Sequence, residues 1–275
     1  MKHSTLRLFA DDSIIYKTIH EQEDTQKLQH DLDNAGQWEH DWLMQFLPDK
    51  CNVISTTTKR NKIHHNFTLH NHSLEHVKYS KNIGLTLQNN LQWDKHTNNI
   101  TANANRILGF LKRNLTINSP HIKEHAYKAL VRPKLEYCSS IWDPHNTGQI
   151  QQIEKTQRRA ARYEHNRYHS TSSVTDMLYT LQWPTLQTRR LQSRLILLYK
   201  ITHHLVANNP EQYLTPVDTR TRHTHPYAYR HIAATKDTFK YSFFPHTITH
   251  SNLLRGNSTK HYTGGLQGKH KQRSP

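Results

Sequence analysis

Two adjacent aspartates, Asp11 and Asp12, are the residues whose types and spacing could do chemistry. They end a four-residue box that begins at Phe9, and apolar runs lie on both sides of it, at 6–8 and 13–16. Such runs predict a strand, a tight turn and a second strand, so both carboxylates are expected at the tip of a β-hairpin. Adjacent like charges repel unless a cation lies near them, and Mg²⁺ binds one or two carboxylates plus substrate phosphates. The alternative is a solvated Asp-Asp turn, since short motifs of this kind are common.

The segments that follow this hairpin predict an α+β fold. Helical spacing runs over 25–46, and its apolar stripe consists of Leu28, Leu32, Ala35, Trp38, Trp42 and Phe46. Short β-prone segments come next, as a run at 52–55, a hairpin at 66–77 that turns at Asn71-His72, and a strand at 82–87. The expected architecture of this part is a β-hairpin, a helix and short antiparallel strands.

Helical periodicity dominates from Asp94 to about Val206. We expect one helix to end near Arg113, a second to start at Ser119-Pro120, and two more to cover 149–163 and 186–206. Tryptophans at 93, 142 and 183 could stack on bases, but core anchoring is the commoner use of this side chain. Beyond Asn208 the periodicity fails and prolines recur, which predicts an irregular basic tail.

The charge balance predicts a polyanionic partner. The 275-residue chain carries 37 lysines and arginines against 21 acids, a formal net charge of +16 with neutral histidine. Such an excess is typical of proteins that bind nucleic acid, and an anionic membrane surface is the alternative. No apolar run approaches the ~20 residues that span a bilayer, so no membrane span is expected. Two cysteines make neither a disulfide framework nor a zinc set, which is consistent with a reducing, intracellular compartment, cytoplasm or nucleus.

Five further blocks follow in order along the chain. They lie at Trp42–Cys51, Lys81–Leu85, Val131–Tyr137, Ile153–Arg162 and Ser242–Pro245. Together with the box at 9–12, these blocks resemble the reverse transcriptases of non-LTR retrotransposons of the Jockey-like type. The resemblance covers roughly Leu6 to Leu254. Positions 47, 82 and 251 depart from the family pattern, which has Asn, Tyr and Trp there.

The resemblance implies an RNA-directed DNA polymerase that extends a DNA primer on an RNA template with Mg²⁺. It implies a partial polymerase palm over 1–90, a helical thumb-like domain over 91–207 and the basic tail over 208–275. Asp11 and Asp12 then match the catalytic metal ligands, and Lys50 matches a lysine proposed as an acid toward the pyrophosphate leaving group. Gly84 matches a glycine that lets the backbone approach the primer strand; without the family context, Lys50 is a surface lysine and Gly84 a strand glycine.

Clusters of cations on the predicted helices are expected to bind the phosphates of a single-stranded nucleic acid. The alternatives are a solvated helix face or, for the middle cluster, ion pairs with acids such as Glu136 or Glu154 inside the bundle. The clusters are Lys112 with Arg113, the trio of Arg158, Arg159 and Arg162, and Arg189 with Arg190.

The carboxylate set of the expected metal site is incomplete in this chain. Polymerase chemistry of this class needs a further aspartate on an earlier strand, and none of the ten residues before Asp11 is acidic. The chain is therefore expected to be a C-terminal piece of such a polymerase, inactive on its own. Two alternatives stay open at this point, a non-catalytic basic nucleic-acid-binding module and a degenerate open reading frame.

Overall fold

The computed structural model describes residues 2–42, 46–57, 59–116, 119–169, 171–217 and 228–264, with side chains described as far as residue 254. The predicted α+β class is confirmed, because short strands occupy the first part of the chain and helices the rest. The chain divides into two compact units, Met1–His96 and Thr97–Pro275. The three-part division into 1–90, 91–207 and 208–275 stays a prediction.

The strands of the first unit pair two by two. Three pairs are antiparallel, β1 with β2, β4 with β5 and β7 with β8. The prediction of antiparallel strands is wrong for β3 and β6, which pair in parallel; the segment between them, 54–74, is long enough for the crossover that parallel strands need. The strands are β1 (Thr5–Phe9), β2 (Asp12–Tyr16), β3 (Asn52–Val53), β4 (Thr68–Leu69), β5 (His72–Ser73), β6 (Glu75–His76), β7 (Tyr79–Asn82) and β8 (Leu85–Gln88).

A tight turn interrupts the segment that was predicted as one strand over 82–87. Asn82 and Leu85 are paired across the end of the β7–β8 hairpin, so Ile83 and Gly84 form a two-residue loop. Their φ angles are 47° and 79°, and positive φ at both central residues is the property of a type I′ turn. Glycine adopts such a φ without steric cost, but a β-branched isoleucine does so rarely, which is why the sequence indicated a continuous strand.

Helix α1 (Gln22–Asp41) lies against the small core of the first unit. A capping box between Glu21 and Asp24 begins the helix. Leu28 and Leu32 pack on the buried side chains of Phe67, Leu69 and Leu74 as expected.

The predicted apolar stripe of α1 is wrong at its two tryptophans. Trp38 is 42% exposed and Trp42 is 67% exposed, because Ala35, Gly36 and Glu39 form the buried face in this part of the helix instead. The two indole rings lie 6.2 Å apart between centroids. The prediction extended the helix to Phe46; residues 43–45 lie outside the described part of the chain.

The helices that follow agree closely with the expected ones. The helix α2 ends at Asn114, Ser119 and Pro120 occupy the N-cap and first position of α3, and Trp142 and Trp183 are core residues. The helix at 174–180 was missed, since its seven residues are too few for a periodic signal. The elements are α2 (Asp94–Asn114), α3 (Pro120–Ala126), α4 (Arg132–Glu136), α5 (Thr147–Glu164), α6 (Val174–Thr180), α7 (Leu186–Thr202), α8 (Asp237–Lys240) and α9 (Phe243–Gly264).

The prediction of an irregular tail is wrong for residues 243–264. This segment forms α9, and its fully buried Ile248 packs in one cluster with Leu198, Ile201 and Leu214. Tertiary packing against α7 therefore stabilises a helix whose own sequence, rich in threonine and histidine, carries little amphipathic pattern. Residues 218–227 and 265–275, which also belong to the predicted tail, lie outside the described part.

A buried histidine joins β8 to the start of α2. The backbone N–H of Thr86 donates to Nδ1 of His96 over 3.2 Å, and His96 is 2% exposed. Burial lowers the pKa of His96 from 6.5 to about 4, because the protonated ring would lose its hydration. The folded first unit therefore holds this ring in its neutral form at pH values where an unfolded chain would protonate it.

We expect the first unit to lose stability as the pH falls from 6.5 towards 4. In that window the unfolded state binds a proton at His96 and the folded state does not. The free energy of unfolding is therefore lower by about 2 kcal/mol at pH 5. Hydrogen exchange within 1–96 at pH 7 and pH 5 measures the loss, and His96→Gln, which keeps an acceptor but does not titrate, serves as the comparison. An identical pH dependence in both proteins would contradict this assignment.

Candidate functional site

The two aspartates lie where the sequence predicts them, at the tip of a β-hairpin. The last pair of the β1–β2 ladder is Phe9 with Asp12, so Ala10 and Asp11 form a two-residue loop. Ala10 has a φ of 47°, a left-handed conformation that glycine adopts more readily than alanine. Asp11 and Asp12 are both exposed, and Asp11 makes no hydrogen bond or ion pair with any described residue. The hairpin therefore presents two carboxylates to solvent.

A hydrogen bond joins this hairpin to the Ile83–Gly84 turn. The backbone N–H of Ile83 donates to Oδ2 of Asp12 over 3.2 Å, across 71 residues of sequence. The structure thus brings three of the predicted site residues, Asp11, Asp12 and Gly84, into one place. Gly84 is exposed and has the φ of 79° that only glycine adopts freely, so its backbone is open to approach from solvent.

A buried aspartate on α1 anchors the strand that carries the box. Asp31 is fully buried and accepts hydrogen bonds from the backbone N–H groups of Lys2, His3 and Ser4 and from the Ser4 hydroxyl, all at 2.7–2.9 Å. Burial alone would raise the pKa of Asp31, but these donors outweigh it and hold the pKa far below its ordinary value. The chain just before β1 is therefore fixed to the helix by a charged acceptor.

The hairpin fits a magnesium ion that completes its coordination with substrate and water. Mg²⁺ prefers one or two protein carboxylates and keeps several water or phosphate oxygens. Asp11 and Asp12 provide that number on one turn. No cluster of three or more His, Cys, Asp or Glu side chains suited to a metal occurs among the described residues. A magnesium ion held by these two carboxylates would complete its coordination with water or phosphate oxygens.

The structure does not bring Lys50 to the aspartates by any ion pair within the described residues. Lys50 ends a short 3₁₀ turn, Pro48–Lys50, and its side chain is exposed. The neighbouring Asp49 lies 3.4 Å from Nε2 of His72, which places that carboxylate on the β5 side of the turn. The role of Lys50 as an acid stays a prediction from the family resemblance.

The prediction that Arg190 belongs to the nucleic-acid surface is wrong. Its side chain is fully buried, and its Nε donates to Oδ1 of Asp143 over 2.8 Å. Arg194, 3% exposed, lies with its Nε 3.0 Å from the other oxygen of Asp143. Two guanidinium groups therefore share one carboxylate inside the second unit, where no polymer can reach them.

Arg189 is also committed to a partner, although it remains partly exposed. Its guanidinium makes a two-pronged ion pair with Glu136, which raises the pKa of Arg189 chiefly through the hydrogen bond. Glu136 is therefore occupied, and Glu154 accepts the backbone N–H of Gln187 at 2.8 Å. The alternative in which Arg158, Arg159 and Arg162 pair with these two acids is wrong, since neither acid forms an ion pair with them.

The remaining predicted cations form no ion pair with a carboxylate in the described part of the chain. Lys112, Arg113, Arg158 and Arg159 are exposed, Arg162 is half-buried, and none of them makes an ion pair with a described residue. Partial burial and the nearby Arg159 lower the pKa of Lys112, whose ammonium lies 5.3 Å from the ring centre of Tyr168. Like charges thus crowd together at the ends of α2 and α5, which favours an anionic partner.

Polar residues between α2 and α5 were missed by the sequence analysis. Together with Lys155 and Arg159 they line a groove. In the sequence they form only a polar stripe at helical spacing, and no motif marks them as functional. Such a stripe is ordinarily a solvated face, so spacing alone could not separate the two cases. The residues are Asn98, Thr101, Asn105 and Gln152.

No helix in the described ranges combines the length and the apolar character needed to cross a membrane. Comparison of the chain with protein-family models, with curated proteins and with solved structures finds no match.

Proposed function

We propose that the chain carries the carboxylate part of an RNA-directed DNA polymerase site, of the non-LTR reverse transcriptase type, together with a helical unit that holds nucleic acid. The observation that carries the proposal is the hydrogen bond between Asp12 and the N–H of Ile83. Without tertiary structure, nothing requires the two turns to meet. Their proximity is what a site would need in which a metal-bound carboxylate acts on the end of a primer strand.

Each of the proposed site residues in the first unit would have its own role in nucleotide transfer. Asp11, which has no hydrogen-bond or ion-pair partner among the described residues, would hold Mg²⁺ directly, and Asp12 would add a second carboxylate whose orientation is set by Ile83. When bound, Mg²⁺ lowers the pKa of the primer hydroxyl and neutralises charge on the reacting phosphate. The backbone at Gly84 would lie along the primer, and Lys50 would give a proton to the departing pyrophosphate. Intracellular RNA template and DNA primer are the implied partners.

The second candidate function is a non-catalytic nucleic-acid-binding module. The observation that favours it is the set of unpaired cations on α2 and α5, which lie in a unit that contains none of the proposed metal ligands. Both candidates predict salt-dependent binding to nucleic acid. Only the polymerase predicts a metal at the hairpin.

Metal-directed cleavage tests the polymerase proposal. Fe²⁺ in the Mg²⁺ site, with ascorbate and peroxide, is expected to cut the backbone of the full chain near 11–12 and near 83–84, because the two turns are in hydrogen-bond contact. Cleavage is expected to increase with template–primer and a deoxynucleotide, whose phosphates complete the coordination. Asp11→Asn should abolish both cuts, and the exposed Asp49→Asn should leave them unchanged. Cuts that are absent, or that persist in Asp11→Asn, would contradict the proposal and favour the binding module.

We expect the 275-residue chain alone to give no template-dependent primer extension with Mg²⁺ or Mn²⁺. The reason is the carboxylate count, since the reaction uses a further aspartate that the ten residues before Asp11 do not supply. Incorporation of labelled nucleotide on an RNA template is the measurement. Extension by the wild-type chain that Asp11→Asn abolishes would refute this expectation while supporting the metal site.

A further inference from the structure

A groove runs between α2 and α5, and most of the residues that line it carry polar or charged side chains. It has a volume of about 350 Å³ and lies wholly within the second unit. One wall comes from α2 and the other from α5. Side chains with hydrogen-bonding groups make up all of its lining except for one alanine: Asn98, Thr101, Ala102, Asn105, Gln152, Lys155 and Arg159.

Hydrogen bonds across the groove hold its two walls at a fixed separation. Gln152 Nε2 donates to Oδ1 of Asn98 at 2.8 Å and to Oγ1 of Thr101 at 3.0 Å. Two helical turns further on, Nη1 of Arg159 donates to Oδ1 of Asn105 at 3.0 Å. The side chains are thus oriented before any ligand binds, which reduces the entropy that binding would cost.

The same amides keep hydrogen-bonding groups free. In the described part of the chain, the Nδ2 amide of Asn98 and the Oε1 of Gln152 have no hydrogen-bond partner. One is a donor and the other an acceptor, and they belong to two side chains that are joined by the Gln152–Asn98 hydrogen bond. Nucleobase edges carry a donor next to an acceptor, and asparagine and glutamine are the side chains that pair with such edges.

Cations continue the groove along α5 and onto the end of α2. Lys155 and Arg159 are four residues apart on one helix face and make no ion pair within the described residues. Lys112 comes next, between the rings of Tyr163 and Tyr168, at 6.0 Å and 5.3 Å from their centres. Tyr168 is half-exposed, so its ring offers a stacking surface at the end of this line of charge.

We propose that this groove binds a single strand of nucleic acid, with phosphates on Lys155, Arg159 and Lys112 and base edges on Asn98 and Gln152. The inference rests on the proposed function, since it names the mode in which that function's helical unit takes its strand. A single strand fits because its Watson–Crick edges are unpaired and can reach the amides, whereas in a duplex those edges are already paired. An acidic peptide could use the cations and pair its backbone with the amides, but it would bring no base to stack on the exposed ring of Tyr168.

Two arginines that are neighbours on α5 provide a matched test. Arg159 lines the groove, and Arg158 is exposed but does not line it. Binding of the full chain to labelled 12-nucleotide RNA is measured by fluorescence anisotropy over a range of salt. We expect Arg159→Ala to weaken binding about 5- to 10-fold and to reduce the log–log salt slope by about 0.7, the value for one phosphate on a single strand. Arg158→Ala removes an equal charge without a groove contact, so we expect it to weaken binding clearly less than Arg159→Ala and to reduce the salt slope by less.

Two glutamines on the same helix test the amide contact in the same way. Gln152→Ala is expected to weaken binding about 3- to 10-fold with an unchanged salt slope, because the lost contact is not ionic. Gln151→Ala, exposed and outside the groove, is the control. Asn98→Ala should weaken binding by the same factor. Because this variant keeps the Gln152–Thr101 hydrogen bond across the groove, unfolding is not expected to cause its loss of affinity. Thermal melting of every variant accompanies the binding curves.

The choice of probes decides between ligand classes. Tighter binding of RNA than of a DNA strand of matched sequence assigns the groove to RNA, and the reverse order assigns it to DNA; either supports a single-strand groove. A matched duplex that binds as tightly as the single strand, a polyglutamate peptide that competes equally well, or equal losses for Arg158→Ala and Arg159→Ala would overturn the proposal. Fe²⁺ cleavage at Asp11 is independent of the groove, so its failure with intact groove binding would refute the polymerase alone.

Discussion

Replacement of Asp143 by alanine is expected to destabilise the second unit by about 3–5 kcal/mol, the cost of leaving buried charge without its partner. Asp143 is 8% exposed and supplies both of its oxygens to guanidinium groups, Oδ1 to Arg190 and Oδ2 to Arg194. Arg190 has two further buried nitrogens, Nη1 and Nη2, without hydrogen-bond partners among the described residues. The carboxylate is therefore the main compensation for two positive charges in the core.

Thermal unfolding of the full chain measures this effect. A loss of that size lowers the midpoint of the transition for a unit of this length by about 6–20 °C. Glu136→Ala breaks a partly exposed pair with Arg189 and is expected to cost about 1 kcal/mol or less. The triple variant Asp143→Leu, Arg190→Met and Arg194→Met removes these three buried charges together and is expected to melt near the wild-type midpoint. An unchanged midpoint in Asp143→Ala would show that the charges are hydrated rather than buried.

Asp31→Asn is expected to destabilise the first unit by about 3 kcal/mol, because a neutral amide accepts hydrogen bonds more weakly than a carboxylate and brings an N–H group among donors. Four donors converge on Asp31, from Lys2, His3 and Ser4. Since its folded-state pKa is depressed, the stabilisation is fully present at neutral pH and is lost as the pH falls below the ordinary value of 3.8. The variant should therefore be nearly indifferent to acid in that window, unlike the wild-type protein.

Hydrogen exchange of the β1–β2 amides provides the measurement, with Asp33→Asn as the control. Asp33 is exposed on the same helix and accepts only from Gln29, so its loss is expected to change little. The strand that begins at Thr5 carries the box at its far end. Asp31→Asn should therefore also weaken Fe²⁺ cleavage near Asp11, as expected for a positioning residue. Equal protection in Asp31→Asn and Asp33→Asn would contradict this role.

Periodic helices were predictable from the sequence, whereas conformations that contradict local preference were not. The spacing of Ile100, Ala104, Leu108 and Leu111 identified α2 almost to its last residue. Ile83 favours a strand by its branching, but the β7–β8 pairing places it in a turn with φ of 47°. The α9 helix was missed because Pro245 and a weak pattern argued against it, and packing on α7 and Leu214 stabilises it.

In the candidate site, too, some features were predictable from the sequence and others were not. The box at 9–12 was visible because apolar runs frame it, but its contact with Ile83 depends on 71 intervening residues whose path no local pattern reveals. Arg190 was assigned to the surface because a charge cluster is ordinarily solvated. Its burial depends on Asp143, which lies 47 residues away in the sequence, and no sequence motif predicts that these two residues pair. Long-range pairs of single side chains are the part of a structure that periodicity cannot supply.

The unequal burial of the tryptophans gives each unit its own optical signature. Trp38 and Trp42, both in the first unit, are 42% and 67% exposed, whereas Trp142 and Trp183 in the second unit are 0% and 7% exposed. Indoles in contact with water emit at longer wavelength and are quenched by dissolved iodide, while indoles in an apolar core are shielded from it. Quenching by iodide therefore reports mainly the first unit in the folded chain. A newly quenchable, red-shifted fraction signals that the second unit has opened, so intrinsic fluorescence can follow the two units separately in one sample.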